Sequence, residues 1–147
     1  MLLPETPSTA QLTQVISQVT APAFLLGAVA SFISVLLSRM NRIIDRTQAL
    51  NAIADDDKRK SPLKSDLPRL KARAALLNRA ILYSTISAIV TAVLVIVAFV
   101  SAYLAVPHEY GVGVLFISAL CFFVASLVNL ARETRIALHE YDHFGSS

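Results

Sequence analysis

Uncharged and charged stretches alternate along this chain on the scale of a lipid bilayer. Thr6 to Ser38, Ala80 to His108 and Tyr110 to Ala131 contain no Asp, Glu, Lys or Arg, and each provides the roughly 20 residues needed to cross about 30 Å of hydrocarbon. The pattern predicts an all-α integral membrane protein with three transmembrane helices, the first two extended into a cytoplasmic antiparallel helical stalk. All 13 Lys and Arg lie either between the first and second uncharged stretches or after the third. The positive-inside rule makes that side cytoplasmic, with the N-terminus outside and the C-terminus inside.

The segments follow from punctuation and periodicity. Residues 1–19 read as an extracytoplasmic segment. Within it Ser8 and Thr9 can cap a short helix, with Leu12, Val15, Ile16 and Val19 on one face and Gln11, Gln14, Ser17 and Gln18 on the other, a face suited to the outer interface. Thr20 is the expected N-cap of helix one, with Pro22 in its first turn, where a missing N–H costs nothing. Helix one covers 20–54 and continues from membrane into water. Residues 55–65, with Asp55-Asp56-Asp57-Lys58-Arg59-Lys60 before Ser61-Pro62, form a charged turn,. Helix two covers 66–106, capped by Ser65 or Asp66, and about 60 Å of helix exceeds any membrane span. Residues 107–111 make an outer turn, helix three covers 112–141, and 142–147 are a tail.

Two polar seams lie within the spans. On helix one, Gly27, Ser31, Ser34, Ser38 and Asn41 recur in steps of four and three; on helix two, Ala80, Ser84, Ser87, Thr91, Ala98 and Ser101 do the same around Leu94. Small and hydroxyl-bearing residues at this spacing let helices approach closely in lipid. The helix-two seam reads as a packing face. The helix-one seam reads either as packing or as the lining of a wet pore. Helix three carries Gly113, Ser118, Ala125, Ser126 and Asn129, and Tyr83, Tyr103 and Tyr110 stand where interfacial aromatics are expected,.

Charge refines the picture at the inner boundary. Arg39, Arg42 and Arg46 share one sector of helix one, with Asp45 beside them. With Arg73 and Arg79 of helix two, they suit either anchorage to anionic lipid headgroups or, repeated by oligomer symmetry, an anion-favouring cytoplasmic mouth. Asp45 invites a charge-assisted pair across to helix two, for which Arg69, Arg73 and Arg79 are the candidates.

Composition agrees with a membrane chain: 55% of residues are apolar and tryptophan is absent, and mean hydropathy is +0.61. The N-terminus lacks the basic region of a signal peptide and reads as a retained anchor. Cys121 is the only cysteine, which excludes an intramolecular disulfide, and it reads as a packing residue. His139-Glu140-Tyr141-Asp142-His143 matches the zincin pattern literally, but a protease needs a third ligand and a cleft. The match reads as chance, with His108 and Glu109 as solvated turn residues. No catalytic residues, metal ligands or cofactors are assigned, and a basic loop without interleaved aromatics does not suggest nucleic acid.

Ala21-Pro22-Ala23-Phe24-Leu25-Leu26, Arg39-Met40-Asn41-Arg42-Ile43-Ile44-Asp45-Arg46, Leu76-Leu77-Asn78-Arg79-Ala80-Ile81 and Arg132-Glu133-Thr134-Arg135-Ile136-Ala137-Leu138 together resemble the small bacterial membrane proteins grouped as domain of unknown function 2721. The resemblance covers roughly residues 15–140, is most specific at the arginine-and-aspartate stretch, and excludes the terminal HExxH. It implies a bacterial inner-membrane protein with three crossings and no assigned activity. Two roles are expected from the residues: a homo-oligomeric ion channel lined by helix one, or a non-conducting scaffold whose stalk binds a cytoplasmic partner. The partners common to both are an anionic bilayer and further copies of the chain, with ions added in the first.

Overall fold

The computed structural model describes residues 8–53, 61–104 and 109–144. They form α1 (Thr9–Asn51), a short 3-10 helix (Ser61–Asp66), α2 (Leu67–Leu104) and α3 (Glu109–Phe144); among the described residues there is no strand. All three α-helices are long and apolar enough to cross a membrane. The Asp55–Lys60 charge run and the Pro107-His108 turn lie outside the described residues, as do the side chains from Glu140 onward.

Helix one begins at Thr9, not at Thr20. Ser8 and Gln11 make a reciprocal cap: the Ser8 N–H donates to the Gln11 side-chain oxygen at 2.9 Å, and the Gln11 N–H donates to the Ser8 hydroxyl at 3.2 Å,. Thr20 is no cap, because its hydroxyl turns back to donate to the Ile16 carbonyl at 2.8 Å. Pro22 lies inside the helix, where neighbouring helices make an interior proline tolerable in a membrane protein. Helix three likewise starts at Glu109, so Gly111 and Gly113 sit in its first turns.

The reason α1 extends upstream is packing. Val15, Pro22, Val29, Leu36, Ile43 and Leu50, seven residues apart, are buried. Val19 is buried too, and Leu26, Ile33, Met40 and Thr47 are half-buried between them. A seven-residue repeat keeps one face of a helix against its neighbours over many turns.

The chain divides into two compact units, one from residues 1–32 and 84–124 and the other from 33–83 and 125–147. In the first, Val15, Val19 and Ala98 form a buried cluster with Val95, Phe99, Ala102 and Val112 packed on it. Phe32 meets Phe123 edge to face at 5.5 Å. The Ser87 hydroxyl donates to the Ala119 carbonyl at 2.8 Å, tying α2 to α3. In the second unit the direction reverses: the Ser126 hydroxyl on α3 donates to the Ala80 carbonyl on α2 at 2.6 Å. Both bonds exploit the second lone pair of a helical carbonyl, which a small side chain can reach only at close helix approach.

Candidate functional site

The seam on α2 lies inside the protein. Ala80, Ser84, Ser87, Thr91, Leu94 and Ala98 are all fully buried, while Ser101 is half-buried. Thr91 satisfies its hydroxyl on the Ser87 carbonyl at 2.8 Å. On α3, Ala119, Ser126, Asn129 and Glu133 are the buried positions among the described side chains. The Asn129 amide donates to the Ala125 carbonyl at 2.8 Å, and Gly113 lies on the exposed side.

The stripe on α1 lies on the outside. Gly27, Ser31, Ser34, Ser38 and Asn41 are exposed, opposite the buried repeat. A Cβ added at Gly27 would meet nothing within 4 Å. Along the same face Ile16, Val19, Thr20, Ala23, Phe24, Gly27, Ala28 and Ser31 line an open groove of about 660 Å³. Ser31 donates to the Gly27 carbonyl at 3.1 Å, whereas the Ser38 hydroxyl and the Asn41 amide have no hydrogen-bond partner among the described residues.

The strongest polar feature was not anticipated from the sequence. Glu133 on α3 is fully buried and binds two guanidinium groups from the other two helices. Arg39 on α1 donates to Glu133 Oε2 through Nε at 3.0 Å and Nη2 at 2.5 Å, and also reaches the Thr134 hydroxyl at 3.2 Å. Arg73 on α2 donates from Nε to Oε1 at 2.8 Å. One carboxylate thus uses both oxygens to join three helices. Two cations on one anion leave a local surplus of one positive charge, with the Arg39 side chain 33% exposed and that of Arg73 18% exposed.

This arrangement separates residues that the sequence groups together. Of the three arginines on α1, Arg39 turns inward to Glu133, Arg46 pairs with Asp66 at 3.3 Å, and Arg42 is exposed. Arg73 serves Glu133, not Asp45. Asp45 is itself exposed and makes no ion pair among the described residues, and Arg79 is likewise exposed. The linear proximity of Asp45 to the arginines misled the expectation, because charges on one short helical stretch are all turned away from the core except where a partner helix supplies a buried counter-ion. Ser65 is also not a cap: its hydroxyl donates to the Pro62 carbonyl at 2.6 Å and accepts no helix N–H among the described residues.

Cys121 is exposed, contrary to the packing role expected of it. Tyr103 and Tyr110 are exposed and Tyr83 is half-buried. His139 is exposed; the rest of the HExxH match lies outside the described side chains. Among the described residues, no group of three His, Cys, Asp or Glu side chains could hold a metal ion.

Three helices long and apolar enough to cross a bilayer, with buried hydroxyl bonds joining α2 to α3, make this a multi-pass membrane protein. The chain belongs to the family described as "Protein of unknown function (DUF2721)", which matches residues 19–143 and so includes Arg39, Arg73 and Glu133. No curated protein and no solved structure matches the chain.

Proposed function

We propose that this protein is a small homo-oligomeric ion channel of the bacterial inner membrane, with its N-terminus outside and its C-terminus in the cytoplasm. The observation that carries this reading is the position of the α1 stripe. Gly27, Ser31, Ser34, Ser38 and Asn41 are not consumed by packing within the chain, so copies arranged about an axis would present a continuous polar surface to it. Three crossings per copy enclose too little space alone, so the pore belongs to the assembly. The lengths of α1 and α2, 43 and 38 residues, or about 64 and 57 Å at 1.5 Å per residue, support an antiparallel stalk in the cytoplasm.

The arginine network sharpens the expected selectivity. Because Arg39 and Arg73 are committed to Glu133 and Arg46 to Asp66, Arg42 is the cation left beside Asn41 at the inner end of the stripe. In liposomes holding the purified oligomer, Ser34→Leu is expected to abolish flux and Arg42→Gln to reduce anion preference. Arg39→Gln should instead lower stability with little change in preference. A folded oligomer without flux at any voltage would refute the channel.

A second reading has an observation of its own. The outer half of the stripe faces a groove with Ile16, Ala23, Phe24 and Ala28, and Ser31 is satisfied by its own helix. Both features suit a dry contact, and a scaffold would use it to bind helices while the stalk binds a cytoplasmic partner. Assembly without flux, retained in Ser38→Ala and Asn41→Ala, is the result expected of that alternative.

A further inference from the structure

Arg69 on α2 and Arg135 on α3 line one groove of about 270 Å³ together with Ile136 and His139. A smaller recess beside it is lined by Asp66, Arg69, Leu70, Arg73 and Ile136. Two described carboxylates in this neighbourhood are already engaged: Glu133 holds Arg39 and Arg73, and Asp66 holds Arg46. Arg69 and Arg135 are exposed and make no ion pair among the described residues. Two guanidinium groups from different helices therefore share a concave surface with no counter-ion among the described residues.

The depth of the groove narrows the anion. Arg135 lies four residues beyond Ala131, where the uncharged run of α3 ends, which is about 6 Å along a helix. That distance puts it in the headgroup layer if the apolar run spans the hydrocarbon. Arg69 lies eleven residues before Ala80, where the uncharged run of α2 begins, about 16 Å along a helix, so the groove opens between the headgroup layer at Arg135 and the water beyond it. Guanidinium forks match phosphate oxygens in geometry as well as charge. Ile136 adds an apolar wall that a soluble anion would not use, and the volume falls just below the roughly 300–1,000 Å³ of small-molecule pockets.

We propose that this groove binds the phosphate of an anionic phospholipid headgroup, with Arg69 and Arg135 as the phosphate ligands. The site requires only that the protein sits in a bilayer, and is independent of conduction. It differs from diffuse attraction of basic residues to the membrane surface because it assigns binding to one pair of arginines.

The test uses the full-length protein in nanodiscs of phosphatidylcholine containing a minor share of phosphatidylglycerol, with retained lipid counted by native mass spectrometry. Wild type should retain phosphatidylglycerol over phosphatidylcholine. Arg69→Gln with Arg135→Gln should lose about 30-fold of that preference, and each single change about 5-fold, the equivalent of about 1 kcal/mol per arginine. Removing the same charge at Arg79 and Arg132, both exposed and outside the groove, should cost clearly less of the preference than removing the groove pair, because those two act only through the general surface attraction. Equal losses in the two double variants, or no loss in either, would overturn the site; should the double variant fail to assemble, the single variants decide by the same criterion. A parallel titration of inorganic phosphate into phosphatidylcholine nanodiscs separates the sources. Binding at least about 10-fold weaker than headgroup retention is expected, whereas saturation by phosphate that also displaces phosphatidylglycerol at equal concentration would overturn the lipid assignment.

Discussion

Glu133→Ala should lower the unfolding free energy by about 3 kcal/mol, read from denaturant titration of the purified protein in mild detergent. Removing one partner of a buried ion pair typically costs about 3–5 kcal/mol, because the other charge stays behind without compensation. The low end applies here, since Arg39 and Arg73 are partly exposed and can recruit water once the carboxylate is gone. Glu133→Gln should cost less, because one amide oxygen still accepts from a guanidinium. The triple change Arg39→Met, Arg73→Met, Glu133→Leu should return to within about 1 kcal/mol of wild type, since an apolar replacement avoids the desolvation of all three charges. An unchanged Glu133→Ala, or a triple variant as unstable as the single one, would mean that the ion triad does not hold the helices together.

Ser87→Leu should cost about 1–3 kcal/mol in the same titration through overpacking alone, with the interhelical bond lost besides. Ser87 is fully buried and close enough to α3 for its hydroxyl to reach the Ala119 carbonyl at 2.8 Å. Ser87→Ala removes the bond without adding volume, and should cost only about 0.6 kcal/mol, typical of a hydrogen bond between membrane helices. The ratio of the two effects is the informative quantity. If leucine is tolerated as well as alanine, the approach of α2 and α3 is looser than the hydrogen bond requires.

These two sites differ in how far the sequence reveals them. The α2 seam is visible because lipid gives large apolar residues no reason to avoid any face, so a run of Ala, Ser and Thr at alternating steps of three and four marks where a neighbouring backbone comes close. On α1 the same rule picks out Gly27, Ser31, Ser34, Ser38 and Asn41, yet this stripe is exposed within the chain. The face that packs internally is built of Val15, Val29, Leu36, Ile43 and Leu50, residues that suit lipid equally well, so composition does not distinguish it. Its seven-residue spacing does, and counting that repeat upstream to Val15 would also have carried the helix past Pro22.

Glu133 was missed for a related reason. Its ligands are 94 and 60 residues away in sequence, and the carboxylate nearest Arg39 in the chain, Asp45, is the wrong one. The available signal was spacing on α3: Ala119, Ser126 and Glu133 are seven residues apart, which places the glutamate on the same face as two small residues that mark a helix contact. A carboxylate on such a face, just past the end of an uncharged run, needs counter-ions from the neighbouring helices. Arg39 and Arg73 meet that need.

We expect copies of this chain to meet along the outer stripe of α1. This is tested most directly by disulfide cross-linking in native membranes, in a Cys121→Ser background that removes the only cysteine. Single cysteines would be placed at Ser31 and Ser34 on the stripe, and at Leu82 and Val124 on exposed faces of α2 and α3. Oxidised dimers are expected for Ser31→Cys and Ser34→Cys, and monomers for Leu82→Cys and Val124→Cys. Cross-linking at Leu82 or Val124 with none at Ser31 and Ser34 would contradict it, and would move the assembly interface to another helix.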